Sequence, residues 1–164
     1  MNESAARPRM FDTPVDAWYV WIGLAVASGA ALAVATAIPA AAPPDATGAA
    51  NTVDRVAASQ HPTVAEHPLP GAEALRVGGD ILGLRGPGGT AHASIGHGPV
   101  TPAAGDDRLR RVLEGDTPER HFDSPEAFER AAIAARAAEP SWKPADRLTV
   151  RRVRWGDVDV VLAG

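Results

Sequence analysis

WYVWIGLAVASGAALAVATAI, residues 18–38, is the stretch on which the reading of this chain turns. It holds no charge and no proline, and its only hydroxyl residues besides Tyr19 are Ser28 and Thr36. As a helix it would reach about 31 Å, close to one hydrocarbon thickness. A single apolar run can satisfy its own backbone in lipid only as a helix, so the expectation is a transmembrane helix over 18–38. Trp18, Tyr19 and Trp21 crowd its first turn, where membrane-interface aromatics belong. Pro39 ends it. Arg7 and Arg9 precede the run and Arg55 follows it, which favours a cytoplasmic N-terminus and a C-terminal domain outside the cell membrane, with lipid as a partner. Other readings of the same run stay open. A cleaved secretory signal would use the small residues Ala35, Thr36 and Ala37. A pilin-type N-terminal helix or a buried helix of a globular domain would also be apolar on every side. Small residues four apart, Gly23 with Ala27 and Ala25 with Gly29, would let two such helices approach closely.

With 164 residues, the chain has room for one small domain beside the apolar run. It has no cysteine, which excludes disulfides, thiolate metal sites and cysteine nucleophiles. Lys143 is the only lysine among 16 basic residues, and the net charge is −4. No strongly basic face is available, so no nucleic-acid partner is expected.

Residues 1–17 read as a polar tail and residues 39–72, with six prolines, as a semi-extended tether. Within the tether, 51–60 could form a short helix capped by Asn51, too short to be stable alone. The extracytoplasmic domain is expected over 73–164. ILGLR (81–85), a Gly-Pro-Gly-Gly loop and TAHASI (90–95) read as a hairpin. Its register sets Arg85 against Thr90, Leu84 against Ala91 and Leu82 against Ala93, giving one apolar and one wet face. Helices are expected at 106–114, capped by Asp106 and stopped by Gly115, and at 125–138, capped by Ser124 with Pro125 in its first turn. LTVRRVRW (148–155), Gly156-Asp157 and VDVVLA (158–163) read as a two-residue-loop hairpin. Trp155 then faces Val158, Arg154 faces Asp159 and Val153 faces Val160. Leu148 and Val150 have the opposite parity from Val153 and Trp155, which predicts a β-bulge at Arg151-Arg152. The expected fold class is α+β: an N-terminal transmembrane helix, then a small antiparallel sheet of about four strands in two hairpins, with two helices on one face.

Four segments together carry a resemblance: DAWYVWIGLA (16–25), GTAHASIGHGPVTP (89–102), FDSPEAF (122–128) and RRVRWGDVDVVL (151–162). With them the chain resembles an uncharacterised family of small haloarchaeal single-span membrane proteins, similar in plan to components encoded with type IV pilus-like systems. The resemblance implies an anchor-plus-domain layout and a link to surface assemblies, and it implies no catalytic residues.

The residues themselves offer little chemistry. His92 and His97 are close in sequence and could meet at the end of a strand, which would suit a membrane-tethered enzyme or metal-binding domain; two exposed histidines flanking a turn is the plainer reading. The glycine-rich GPGGT (86–90) lacks the following helix and the lysine of a phosphate loop. No serine has the context of a nucleophile elbow. Asp157 and Asp159 are explained as a turn residue and as the partner of Arg154. Arg151, Arg152 and Arg154 concentrate positive charge and are the candidate partner surface. Trp142 is either a lid over the sheet or a partner contact. No cofactor and no metal are expected, and the expected role is that of a non-catalytic accessory or pilin-like component of a cell-surface assembly.

Overall fold

The computed structural model describes residues 15–37 and 41–164, with side chains in the first stretch from 18 to 32. The chain divides into two units, residues 1–40 and 41–164. In the first, Val15–Ala37 forms helix α1. The transmembrane helix expected at 18–38 is corrected: among the described residues no helix is long and apolar enough to cross a membrane. Helix α1 is 23 residues long, about 34 Å of helix. Alanine, glycine and serine fill much of that length. Trp18, Tyr19 and Trp21 are 68%, 68% and 69% exposed. The tail up to residue 14 lies outside the described residues.

The second unit holds two four-stranded sheets instead of the expected single one. Sheet A runs in the order β1-β7-β8-β5, with β1 Val64–Pro68, β7 Arg147–Trp155, β8 Val158–Ala163 and β5 Val100–Pro102. Sheet B runs β4-β3-β2-β6, with β4 Gly89–Ser94, β3 Ile81–Gly86, β2 Ala74–Val77 and β6 Lys143–Pro144. All pairings are antiparallel except β5 with β8. The two hairpins therefore lie in different sheets. Each nevertheless has the register expected of it, Leu84 opposite Ala91 in one and Arg154 opposite Asp159 in the other.

Residues 39–72 do not serve as a tether from position 46 on. Ala46–Ala57 is helix α2, whose cap is Asp45 and not Asn51: the Asp45 carboxylate accepts the Gly48 N–H at 2.8 Å. Ala46, Ala49, Val53 and Val56 form a buried stripe at helical spacing. That stripe joins Leu82 and Leu84 of sheet B and Leu148 and Val150 of sheet A in one core. Packing against both sheets stabilises a helix that could not persist alone. β1 then pairs with β7 from Val64 opposite Arg151 to Pro68 opposite Arg147.

The other face of sheet A carries the two helices expected. Asp107–Glu114, α3, is capped by Asp106, which accepts the Arg108 and Leu109 N–H groups at 2.8 and 3.2 Å. Gly115 ends it at φ 131°, a conformation that favours glycine. Pro125–Ala137, α4, is capped by Ser124. Phe128, Leu109 and Val112 are fully buried there against Val153, Val160 and Leu162.

This double cover explains the parity slip in β7. Its pairing is continuous, with β1 from Arg147 to Arg151 and with β8 from Val150 to Trp155, so the predicted bulge is absent. Leu148 and Val150 face α2 and sheet B, while Val153 and Trp155 face α3 and α4. The apolar pattern changes parity because the strand's two halves bury opposite faces, and the backbone stays regular.

Candidate functional site

Sheet B buries Leu75, Val77, Leu82 and Leu84 on its inner face. Strand alternation therefore sends Arg76, Gly83, Arg85 and His92 to the outer face. The register sets Gly83 opposite both Arg76 in β2 and His92 in β4. Trp142, one residue before edge strand β6, reaches across β2 and lies over Gly83. A Cβ on Gly83 would stand 3.0 Å from both the Trp142 Cη2 and the His92 Cδ2. The glycine thus makes the hollow in which the indole and imidazole meet, with ring centroids 6.2 Å apart.

Two guanidiniums lie over that one indole. Arg76 Cζ is 4.9 Å and Arg85 Cζ 4.3 Å from its centroid. Cation–π attraction and the planar fork of arginine hold such groups in place while leaving N–H edges free. Arg76 Nη2 is 3.2 Å from His92 Nε2. A guanidinium has only donors, so that imidazole nitrogen accepts and the proton sits on Nδ1. Among the described residues neither Arg76 nor Arg85 forms an ion pair, whereas Arg108, Arg110, Arg120, Arg147, Arg152 and Arg154 all do. The register places no carboxylate on this face of β2, β3 or β4. The arrangement can bind an oxyanion at the guanidinium edges and stack a flat group beside the rings.

The candidates read from the sequence sit elsewhere or have other partners. Arg151 and Arg152 turn inward. Arg151 Nη1 donates to the carbonyls of Val112 and of Asp116, the latter at 3.0 Å. Arg152 Nη1 donates to the carbonyls of Ser59 and of Ala57, the latter at 2.7 Å. Its Nε and Nη2 hold both oxygens of Asp159, at 2.9 and 2.7 Å. Hydrogen bonding from Arg152 holds the Asp159 carboxyl below the usual carboxylate range. Arg154, the most exposed of the three, shares that carboxylate at 3.0 Å. His92 and His97 do not converge: His97 donates its backbone N–H to the Asp54 carboxylate of α2 at 2.8 Å, on the inner side of sheet B. Among the described residues no group of three or more histidine, aspartate or glutamate side chains could hold a metal ion. His121 pairs with Asp116 at 2.8 Å, and His67 lies 3.3 Å from the Thr52 hydroxyl.

A cleft of about 620 Å³ opens between the inner side of β2 and β6 and helices α3 and α4. Leu75, Val77, Leu113, Ala131 and Ala135 give it apolar walls. Its charged rim is largely satisfied within the fold, since Arg110 bridges Asp107 and Glu114 and Asp106 caps α3. The guanidiniums of the outer face, which no carboxylate pairs among the described residues, make the stronger site.

Fold and site together define a small two-sheet α+β domain with a cationic aromatic platform on its outer sheet. The chain belongs to the family of unknown function DUF7283, which it matches over residues 12–153. No curated protein and no solved structure matches the chain.

Proposed function

We propose that this protein is a non-catalytic recognition module, an accessory component of a cell-surface assembly, that binds an acidic protein partner through Arg76, Arg85, His92 and Trp142. The observation that carries the reading is the pair of guanidiniums over one indole without a carboxylate between them. Most other arginines described in the domain have acidic partners or cap carbonyls, so the platform is where an external anion gains most. The resemblance of residues 16–25, 89–102, 122–128 and 151–162 to an uncharacterised family similar in plan to components encoded with type IV pilus-like systems supports the accessory role.

Titration of the full chain with polyglutamate tests it. Binding should perturb the Trp142 indole N–H and weaken with salt, as contacts between exposed charges do. Arg76→Gln and Arg85→Gln should each weaken binding about tenfold, the equivalent of one charge-assisted hydrogen bond. Arg154→Gln, which removes an internally paired guanidinium, should leave it unchanged. Equal loss in all three variants, or no binding at all, would discard the platform.

A further inference from the structure

Among the described residues, sheet B leaves one long edge without a second neighbouring strand. Strand β4 pairs with β3 on one side only. The Ile95 N–H donates to the Asp80 carbonyl at 2.8 Å, so alternate residues Ala93, Ala91 and Gly89 also face β3. The N–H and C=O groups of Thr90, His92 and Ser94 therefore point away from the sheet, and no backbone hydrogen bond engages them among the described residues. Native edges are usually blunted by charge, proline, a bulge or shortness. The domain's other edges follow that rule. β6 has two residues, Lys143 and Pro144; β5 has three and ends in Pro102; β1 carries Glu66 and Pro68. β4, six residues reading GTAHAS, has no charge, no proline and no bulge.

We propose that the acidic partner binds as an extended segment added to β4, making sheet B five-stranded. This rests on the platform reading and specifies its ligand. A strand added at ~4.8 Å from β4 puts the side chain opposite His92 on the same outer face, roughly 5 Å from it. Arg76 Nη2 already touches His92 Nε2, so a glutamate or aspartate at that position meets the His92 ring edge and the Arg76 guanidinium together. Main-chain pairing supplies affinity, and the carboxylate sets register and charge preference.

The experiment uses the full chain and ten-residue peptides alternating glutamate with valine, in both registers. The expected result is binding with slowed amide exchange at Thr90, His92 and Ser94. N-methylation of every second peptide amide, which blocks one edge of the peptide and keeps its charge, should weaken binding at least tenfold. Thr90→Pro and Ser94→Pro, which remove outward donors and leave the bonds to β3, should do the same, with folding confirmed by unchanged exchange at Ala91 and Ala93. If the N-methylated peptides and the proline variants bind as well as the originals while Arg76→Gln still fails, the platform stands and strand addition is overturned. Self-association through β4, seen as a stable dimer whose edge amides are protected without peptide, would also overturn it.

Discussion

Arg151 and Arg152 are neighbours in β7, yet their guanidiniums close the ends of two different helices on opposite faces of sheet A. Arg151 donates to carbonyls at the end of α3, Val112 and Asp116, and Arg152 to those at the end of α2, Ala57 and Ser59. Strand alternation makes this possible, since adjacent side chains leave a strand in opposite directions. Helix C-termini lack internal partners for their last carbonyls, and a cation there also complements the helix dipole. Arg151→Met should cost about 1–3 kcal/mol by stranding acceptors near the core. Hydrogen exchange should show the loss confined to α3. Arg152→Met should instead loosen α2 and the segment at Ser59. Loosening of both helices by either variant would show that the two caps are not separate.

Asp159 ties this network to pH. Hydrogen bonding from Arg152 lowers its carboxyl pKa in the folded state. The folded protein then binds fewer protons than the unfolded chain as acid is added. The contribution is complete above the unfolded aspartate value of about 3.9 and is lost as pH falls through the lower, folded value. Urea unfolding followed between pH 7 and 2 should show stability falling below about pH 4. Asp159→Asn should be less stable at pH 7 and show a flatter acid limb. An unchanged acid limb would assign the sensitivity to Asp116, Asp106 or Glu126, whose carboxyls are also held low.

Local register is legible from residue types alone; long-range partnership is not. Both hairpins close through short loops, and the alternation of Leu82 and Leu84 or Val153 and Val160 is enough to align them. Nothing near Val64 announces that it pairs with Arg151, and prolines at 62, 68 and 70 read as a tether. The parity change in β7 is visible, but a bulge and a strand covered on both sides produce the same pattern. Arg76 and Arg85 carry no signal of their own, because a lone arginine on a strand is ordinary. The usable signal is Gly83, an isolated glycine within an apolar strand and opposite His92 in the hairpin register; such a glycine marks a close approach by another group.

Gly83 therefore separates the platform from the fold. Gly83→Ala places a methyl 3.0 Å from the far edge of the Trp142 indole, which can swing outward without disturbing Leu82 or Leu84 beneath. Melting temperature should change little, while polyglutamate affinity should fall as far as in Arg76→Gln. Retained affinity would mean that the stacked indole does not organise the guanidiniums. Gly86→Ala is the contrasting variant. There a Cβ would land on the Gly71 backbone carbonyl, and the hairpin should open with a large loss of stability.

Thr101 tests the quality of the core itself. It is fully buried in β5, opposite Leu162, and its hydroxyl has no hydrogen-bond partner among the described residues. A buried hydroxyl without a partner forfeits its hydration and gains nothing in return. Thr101→Val keeps the β-branched shape that suits a strand and replaces the hydroxyl with a methyl. It should stabilise the domain by about 1 kcal/mol, read from the urea midpoint at constant m-value. Destabilisation by a similar amount would mean that a buried water satisfies the hydroxyl in solution. That water would then form part of the contact between β5 and the helices packed on sheet A.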